Sequence, residues 1–318
     1  MTLALASSSF GLAEDRVSKS SLITRLNWMQ FEVVMGRIVA LNSRYEQTRT
    51  ASTGDVNSDY REILSLSVDN GIPSVRYERR TSTDLLSLEV IEGNQVELTL
   101  KPRGENQQDS LHYFQPHEGR VRLTIGEQSV EAVNVWHLFM VASKDQVARL
   151  CSCLEYLRPG WRLPDTATAI ETALFRLSTS GYRPDKEQVN RLVRQLGSKS
   201  FKTRQRADRE LRGMGIRVLS ALADVDTLRL DSEQKARMEG IRQAVMSQSD
   251  DTPERVASWM IEDRQVWLTL LSHGDMEKRI AALEHLSDIA GHHLEYDPTA
   301  AEAIRRTQIE TLTARLAP

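Results

Sequence analysis

Between residues 63 and 139, apolar and polar residues alternate with a period of two, the pattern of a half-buried β-strand. Ile63–Val68 and Val75–Arg79 flank the tripeptide Asp69-Asn70-Gly71, and Asn-Gly is a strong hairpin signal. The alternation returns in four further segments, Leu86–Val90, Val96–Leu100, Val121–Ile125 and Val130–Phe139. Together these segments predict an antiparallel meander with one buried face.

The segments before the meander are less regular. Leu22 to Leu41 spaces its apolar residues either as one helix or as a mixture of helix and strand. Asn42 to Tyr60 is rich in Ser, Thr, Asn, Asp and Gly, so we predict a long loop there.

After Met140 the period becomes helical. Ser143 and Gln146 have the spacing of a capping box, which predicts a helix that ends before Arg158-Pro159-Gly160. Further helices are predicted at Ala167–Ser178, Lys186–Gly197, Lys202–Gly213, Ile216–Ala223, Ser232–Ser247, Pro253–Leu271, Met276–Ile289 and Thr299–Leu316. Residues 63–139 should therefore be mostly strand, and residues 166–317 almost wholly helix.

These patterns predict an α+β protein in which an antiparallel β-meander module precedes an all-α domain. The β-rich module with its flanking helices spans residues 22–158, and the helical domain spans residues 166–318. Residues 1–21 are predicted as either a signal peptide or a disordered tail, because Leu3–Ala13 is apolar and small but has no basic segment before it. Export to a periplasmic or extracellular compartment and retention in the cytoplasm both remain open.

Composition narrows the choice of partner. The 318 residues carry a formal net charge of −3, which gives no general attraction to nucleic acid. No apolar stretch is long enough to span a membrane. Cys151 and Cys153 exclude a disulfide framework and a four-cysteine zinc site.

Within the helical domain, six residues recur 75 positions later in the chain. The matched pairs are Leu196 with Leu271, Phe201 with Met276, Arg204 with Arg279, Ala207 with Ala282, Leu211 with Leu286 and Met214 with Ile289. That separation is close to twice the length of a paired-helix repeat. The segment Leu192–Ala207, in which a helix ends at a Gly-Ser turn before an aromatic residue, an Arg and a small residue, resembles HEAT-like repeats.

This resemblance implies an α-solenoid, and usually a binding role rather than catalysis. In such a pattern the aromatic or Met side chain, here Phe201 or Met276, docks against its neighbours. The small residue allows close helix approach, while Leu211 and Leu286 fill the core between repeats.

The chain has none of the common catalytic or nucleotide-binding motifs. Its one group of potential metal ligands is the segment His292–Asp297, which contains His292, His293, Glu295 and Asp297. Neighbouring ligands on one loop rarely preorganise a metal site, so we interpret the segment as a loop between helices and predict no cofactor.

Basic residues are concentrated between Arg191 and Arg217. Lys202, Arg206 and Arg209 share one face of a predicted helix at positions i, i+4 and i+7, and Arg212 lies close to that face. These four residues are the candidate partner-binding site. The competing interpretation is a solvated helix face, partly neutralised by acidic residues of neighbouring helices, namely Asp250, Asp251, Glu254, Glu262 and Asp263.

Two functional hypotheses follow. The first is a non-enzymatic interaction or scaffold protein that presents a helical-repeat surface to a protein or anionic partner. The alternative is a small-ligand or lipid-type carrier with an apolar pocket behind the N-terminal sheet. An open pocket behind the sheet would favour the carrier, and a filled core would favour the interaction protein.

Overall fold

A computed structural model describes residues 21–42, 47–54, 59–104, 110–179, 186–215, 218–223, 225–246 and 251–316. The predicted signal peptide or tail, apart from Ser21, lies outside these ranges. The chain divides into two compact units, Met1–Asp165 and Thr166–Pro318. Among the described residues, no helix has both the length and the apolar character needed to cross a membrane.

The first unit is built mainly from strands. Its helices are α1 (Leu22–Leu26), α2 (Val135–Val141) and α3 (Lys144–Leu154). Its strands are β1 (Met29–Val34), β2 (Arg37–Asn42), β3 (Arg49–Thr53), β4 (Arg61–Asp69), β5 (Ile72–Arg80), β6 (Asp84–Ile91), β7 (Gln95–Pro102), β8 (Leu111–Gln115), β9 (Val121–Ile125) and β10 (Gln128–Ala132). Strands β1 and β2 form a separate hairpin.

Strands β3 to β10 form one eight-stranded sheet in which each strand pairs antiparallel with its neighbour in sequence, so the predicted meander is confirmed. Alternate side chains of each strand point to the same side of the sheet. The side chains on one of the two sides are buried. The register places Leu64 opposite Tyr77, and Tyr77 opposite Leu88, on that face. Ser65 and Arg76, on the other face, are partly or fully exposed.

Buried polar groups attach other elements to this face. The side-chain amide of Gln115 pairs with β2: its Oε1 accepts from the Ile38 amide at 2.9 Å, and its Nε2 donates to the Ile38 carbonyl at 2.8 Å. Glu62 Oε2 accepts from the Leu22 amide at the start of α1 at 2.8 Å. Its other oxygen, Oε1, lies 3.4 Å from Nε of the buried Arg79. Two opposite charges are thus paired inside the unit, beside the start of α1.

Two segments of this unit differ from their predicted structure, and for a third, Leu22 to Leu41, the structure decides between the two predicted alternatives. Leu22 to Leu41 combines a short helix with most of a hairpin. Asn42 to Tyr60 is not all loop, because it contains the polar edge strand β3, whose Thr50 side chain hydrogen-bonds to that of Ser65. Val130 to Phe139 is not one strand. It changes to helix α2 because the Asn134 side chain accepts from the His137 amide and caps that helix.

The second unit is helical, and no strand follows Pro164 in the described part of the chain, so the predicted α+β fold class is confirmed. Its elements are α4 (Leu163–Thr179), α5 (Lys186–Leu196), α6 (Phe201–Gly213), α7 (Val218–Ala223), a 3-10 turn (Thr227–Arg229), α8 (Ser232–Met246), α9 (Pro253–Met260), α10 (Arg264–Leu270), α11 (Met276–Ala290) and α12 (Glu302–Leu316). Helix α4 begins at the division between the units.

The predicted helix Pro253–Leu271 is broken into α9 and α10. Asp263 starts the second helix by accepting from the Gln265 amide at 2.8 Å. At the break, the Ile261 carbonyl accepts from the indole nitrogen of Trp267 at 2.6 Å, and Nε2 of His285 lies 3.0 Å away. These side chains satisfy a carbonyl that a continuous helix would have bonded internally.

Two turns of the helical unit make equivalent contacts 75 positions apart. Nη1 of Arg204 donates to the carbonyls of Ser198 and Lys199 at 2.7 and 3.2 Å. Nη1 of Arg279 donates to the carbonyls of His273 and Gly274 at 2.7 and 2.9 Å. Each arginine therefore closes the turn that precedes its own helix. The residues that cap these helices, Ser200 of α6 and Asp275 of α11, also correspond.

The buried residues of the two segments correspond as well. Ala207 and Ala282 are fully buried, and so are Leu211 and Leu286. Phe201 and Met276 were expected to dock but are 62% and 47% exposed, so this expectation is wrong. Each is the first residue of its helix, immediately after the N-cap.

Candidate functional site

The turn at residues 197–200 reverses the chain between α5 and α6 and packs these two helices together. Leu192 and Leu196 of α5 and Leu211 of α6 belong to one apolar cluster that continues into α7 and α8. Ala207 is fully buried in this cluster, and its short side chain lets the helices approach closely. The outer residues of α5 and α6 are thereby brought side by side.

A cleft of about 420 Å³ lies between these outer residues. Its lining is mostly polar and consists of Arg191, Leu192, Gln195, Ser200, Lys202, Thr203, Arg206 and Glu210. Three of these side chains are basic and one is acidic, so the formal charge of the lining is positive.

Only one ion pair forms between the charged residues of the cleft. Nε of Arg206 lies 2.7 Å from Oε1 of Glu210, and the Arg206 side chain is 79% exposed. Within the described ranges, no hydrogen bond or ion pair engages Arg191 or Lys202. Both are exposed, so their charges are available to a ligand.

The structure separates the four residues predicted as the site. Lys202 and Arg206 line the cleft. Arg209 is exposed on the same face of α6 but is not part of the described lining. Arg212 lies elsewhere: its Nε is 2.7 Å from Oδ2 of Asp208, and its guanidinium lies beside Gly240 of α8.

The ion pairs formed around the cleft differ from the predicted ones at Glu254 and Glu233. Glu254 pairs with Arg176 at 3.1 Å rather than with one of the four predicted site residues. Glu233 of α8, which was not among the predicted acidic neighbours, pairs with Arg204 at 3.0 Å and with Arg237 at 2.9 Å. Asp250 lies outside the described residues. Neither ion pair of Glu233 reaches into the cleft lining.

Sequence reasoning did not select Arg191, Gln195 and Thr203 for the site. The spacing of residues along one helix shows only which of them share a face of that helix, whereas the cleft is formed by two helices. A usable signal was present in Gly197-Ser198, the turn that folds α5 back on α6. Residues shortly before and shortly after such a turn become neighbours on the surface.

The sequence also contains two other sets of potentially reactive groups, the segment His292–Asp297 and the two cysteines. Within the described residues no cluster of side chains could hold a metal ion. In the segment His292–Asp297, Tyr296 is buried and Oδ1 of Asp297 accepts from the Thr299 amide at 2.8 Å. Burial raises the pKa of Cys151 to about 11 and that of Cys153 to about 12, which disfavours the reactive thiolate.

In comparisons with known proteins, no family model, no curated protein and no solved structure matches this chain. The function is therefore argued from the geometry and charge of the molecule itself.

Proposed function

We propose that this chain is a non-enzymatic interaction protein whose HEAT-like helical repeats present the α5–α6 cleft to an acidic segment of a protein partner. The observation that carries the proposal is the open cleft in which Arg191, Lys202 and Arg206 face solvent together. The chain as a whole carries a net charge of −3, so this positive site is local. Complementary charge at such a site accelerates encounter and orients an acidic partner.

Equivalent turn contacts support the repeat interpretation. Arg204 and Arg279 each donate to two carbonyls of the preceding turn, at positions with the same 75-residue offset. The buried pair Leu211 and Leu286 follows the same offset. A repeat that cannot bury its apolar face alone is stabilised by stacking on its neighbours, which leaves outer faces free for binding.

The segment 75 residues later, which contains α10 and α11, also shows which side chains the helical packing requires. At the positions equivalent to Arg191 and Gln195 stand Val266 and Leu270, both buried. Lys202 and Arg206 correspond to Glu277 and Ala281. The arginines that close the turns and the core leucines recur, but the cleft residues do not. The basic side chains are therefore not demanded by the helical packing, which favours a binding role.

The packing of the sheet gives less support to the carrier hypothesis. Leu64, Tyr77, Leu98 and Tyr113 are fully buried and fill the centre of the face that a carrier would need open. The open cleft described in the β unit, about 300 Å³, lies instead between α1, β1 and residues 157–159. A filled face favours the interaction hypothesis over the carrier.

A pair of double variants tests the proposal. Lys202→Glu with Arg206→Glu reverses two charges in the cleft. The control, Arg212→Glu with Arg229→Glu, reverses two charges that lie outside it and pair with Asp208 and Asp226. Fluorescein-labelled hexaglutamate and the full chain are mixed at 50 and 300 mM NaCl, and the Kd is measured by fluorescence anisotropy.

The unchanged chain should bind hexaglutamate more weakly at high salt, because ions screen exposed charges. The cleft variant should raise the Kd by at least about tenfold, equivalent to roughly 1.4 kcal/mol, whereas the control should change it by less than about twofold. Equal weakening by both variants would mean that only net charge matters. If the unchanged chain does not bind the peptide, the cleft is a solvated surface.

A further inference from the structure

The cleft contains more free donors than an acidic side chain needs. Lys202 and Arg191 are unpaired within the described ranges, and no hydrogen bond to another described residue is formed by the side chains of Gln195 and Thr203. All four can donate hydrogen bonds, and they line one space together with Arg206. A ligand that satisfies these four donors must supply several acceptor oxygens.

Arg206 adds directional recognition. Glu210 accepts from its Nε at 2.7 Å, which holds the guanidinium plane and leaves the two terminal nitrogens for a ligand. These two nitrogens form a planar fork of donors that can bind two oxygens of one oxyanion at once. Lys202, one turn earlier on α6, and Arg191, across the cleft on α5, supply further positive charge.

Counting charge separates two classes of oxyanion. Arg191, Lys202 and Arg206 against Glu210 give the lining a formal charge of two positive units. A carboxylate supplies one negative charge and two oxygens. A phosphoryl monoester supplies about −1.5 to −2 charge and three strong acceptor oxygens near pH 7, which matches both the charge and the donors of the cleft.

We infer that the α5–α6 cleft binds a dianionic phosphoryl group, presented by a phosphorylated serine or threonine of a partner protein. This inference rests on the proposed function and specifies its ligand. A phosphorylated segment suits the site because the cleft is open to solvent along α6, so chain on either side of the phosphate can continue over the helical surface. The same phosphoryl chemistry occurs in free phosphate and in nucleic acid, and both serve as probes below.

The test compares three fluorescein-labelled peptides of the form Gly-Ser-Gly-X-Gly-Ser-Gly, where X is phosphoserine, glutamate or serine. Binding to the full chain is measured by anisotropy at pH 7.5 and 5.5. The phosphoserine peptide should bind at least about fivefold more tightly than the glutamate peptide at pH 7.5. Its binding should weaken roughly fourfold at pH 5.5, because a second phosphate pKa near 6 leaves about a quarter as dianion. The cleft lining includes no histidine that would titrate in this range.

Two matched lysine variants locate the site. Arg206→Lys keeps the charge but removes the fork, so it should weaken phosphoserine binding by at least about fivefold and glutamate binding much less. Arg212→Lys makes the same change at an ion-paired arginine of α6 outside the cleft lining and should have no effect on either peptide. Thermal unfolding of both variants checks that the fold is retained.

Each other outcome overturns the inference in a recognisable way. Equal affinity for the phosphoserine and glutamate peptides would exclude phosphate recognition but leave the proposed acidic partner standing. Competition by inorganic phosphate at the affinity of the peptide itself would show that the free ion is the ligand. Tighter binding of a ten-nucleotide oligothymidylate that displaces the peptide would replace the protein partner with nucleic acid. If neither acidic peptide binds, both proposals fail.

Discussion

Truncating the two equivalent core leucines tests the repeat register. Leu211→Ala and Leu286→Ala each remove three carbon atoms from a side chain that is fully buried. At about 0.8 kcal/mol per carbon, the lost transfer free energy is roughly 2.4 kcal/mol. The cavity left behind adds to this cost, so each variant should lose about 2–5 kcal/mol of unfolding free energy.

The matched control is Arg212→Ala, one position after Leu211 on the same helix. Arg212 is 40% exposed and pairs only with Asp208 among the interactions described, at i and i+4. An exposed pair with this spacing contributes about 0.3–0.5 kcal/mol. The control should therefore cost less than about 0.5 kcal/mol, several times less than either leucine variant.

Urea unfolding followed by far-ultraviolet circular dichroism measures these differences. The helical transition should shift to lower urea for both leucine variants with an unchanged slope, because the surface exposed on unfolding stays nearly the same. A chain with two compact units need not unfold in a single step, so the transition of the helical unit is fitted by itself. Costs at Leu211 or Leu286 as small as that of Arg212→Ala would refute the equivalence of the two positions.

Two further predictions concern the β unit. Glu62→Gln should lower the free energy of unfolding by about 3–5 kcal/mol, because it leaves the buried Arg79 guanidinium without its counter-charge. The control, Glu89→Gln at the exposed pair with Arg76, should lower it by less than about 1 kcal/mol in the same urea titration. His137 has a pKa lowered to about 4, first by burial and then by Arg120, so the unfolded chain binds its proton more tightly. Stability should therefore rise from pH 4 to pH 6.5, by on the order of 3 kcal/mol from this group, and His137→Gln should remove that part of the pH dependence.

The sheet was predictable because each strand of the meander has one buried and one exposed face. Leu64 and Leu66 alternate with Ser65 and Ser67, and the structure buries only the leucines. Strand β3 was not predicted, because it is an edge strand whose residues, among them Thr50, are mostly polar. Such a strand is specified by its pairing partner rather than by its own hydrophobic pattern.

The errors at helix ends have a different cause. Val130 to Phe139 is apolar enough to look like one strand, but the side chain of Asn134 caps a helix in the middle of it. The break after Met260 similarly depends on Asp263 as a cap and on Trp267 reaching the Ile261 carbonyl. A pattern of apolar positions contains no information about such local hydrogen bonds. The identity of the cap residues, Asn134 and Asp263, does contain it.

The candidate site was predictable in part for a related reason. Lys202 and Arg206 share a helix face, which spacing reveals, but Arg191 joins them only through the packing of two helices. The correspondence between positions 75 residues apart supplies the missing criterion. Residues that the packing requires, such as Leu211 and Arg204, recur at the 75-residue offset with the same burial or the same contacts.

Residues that depart from this correspondence are then the ones to examine for binding. At the positions 75 residues later, the buried Val266 and Leu270 replace Arg191 and Gln195 of α5, and Glu277 stands where Lys202 stands in α6. A solvated face would need only some polar residue at each exposed position, with no preference for sign. Basic residues on both sides of one cleft, with Arg206 held by a single carboxylate, require a further explanation. Recognition of an oxyanion explains all of these features together, because it needs positive charge, free donors and an oriented guanidinium at one place.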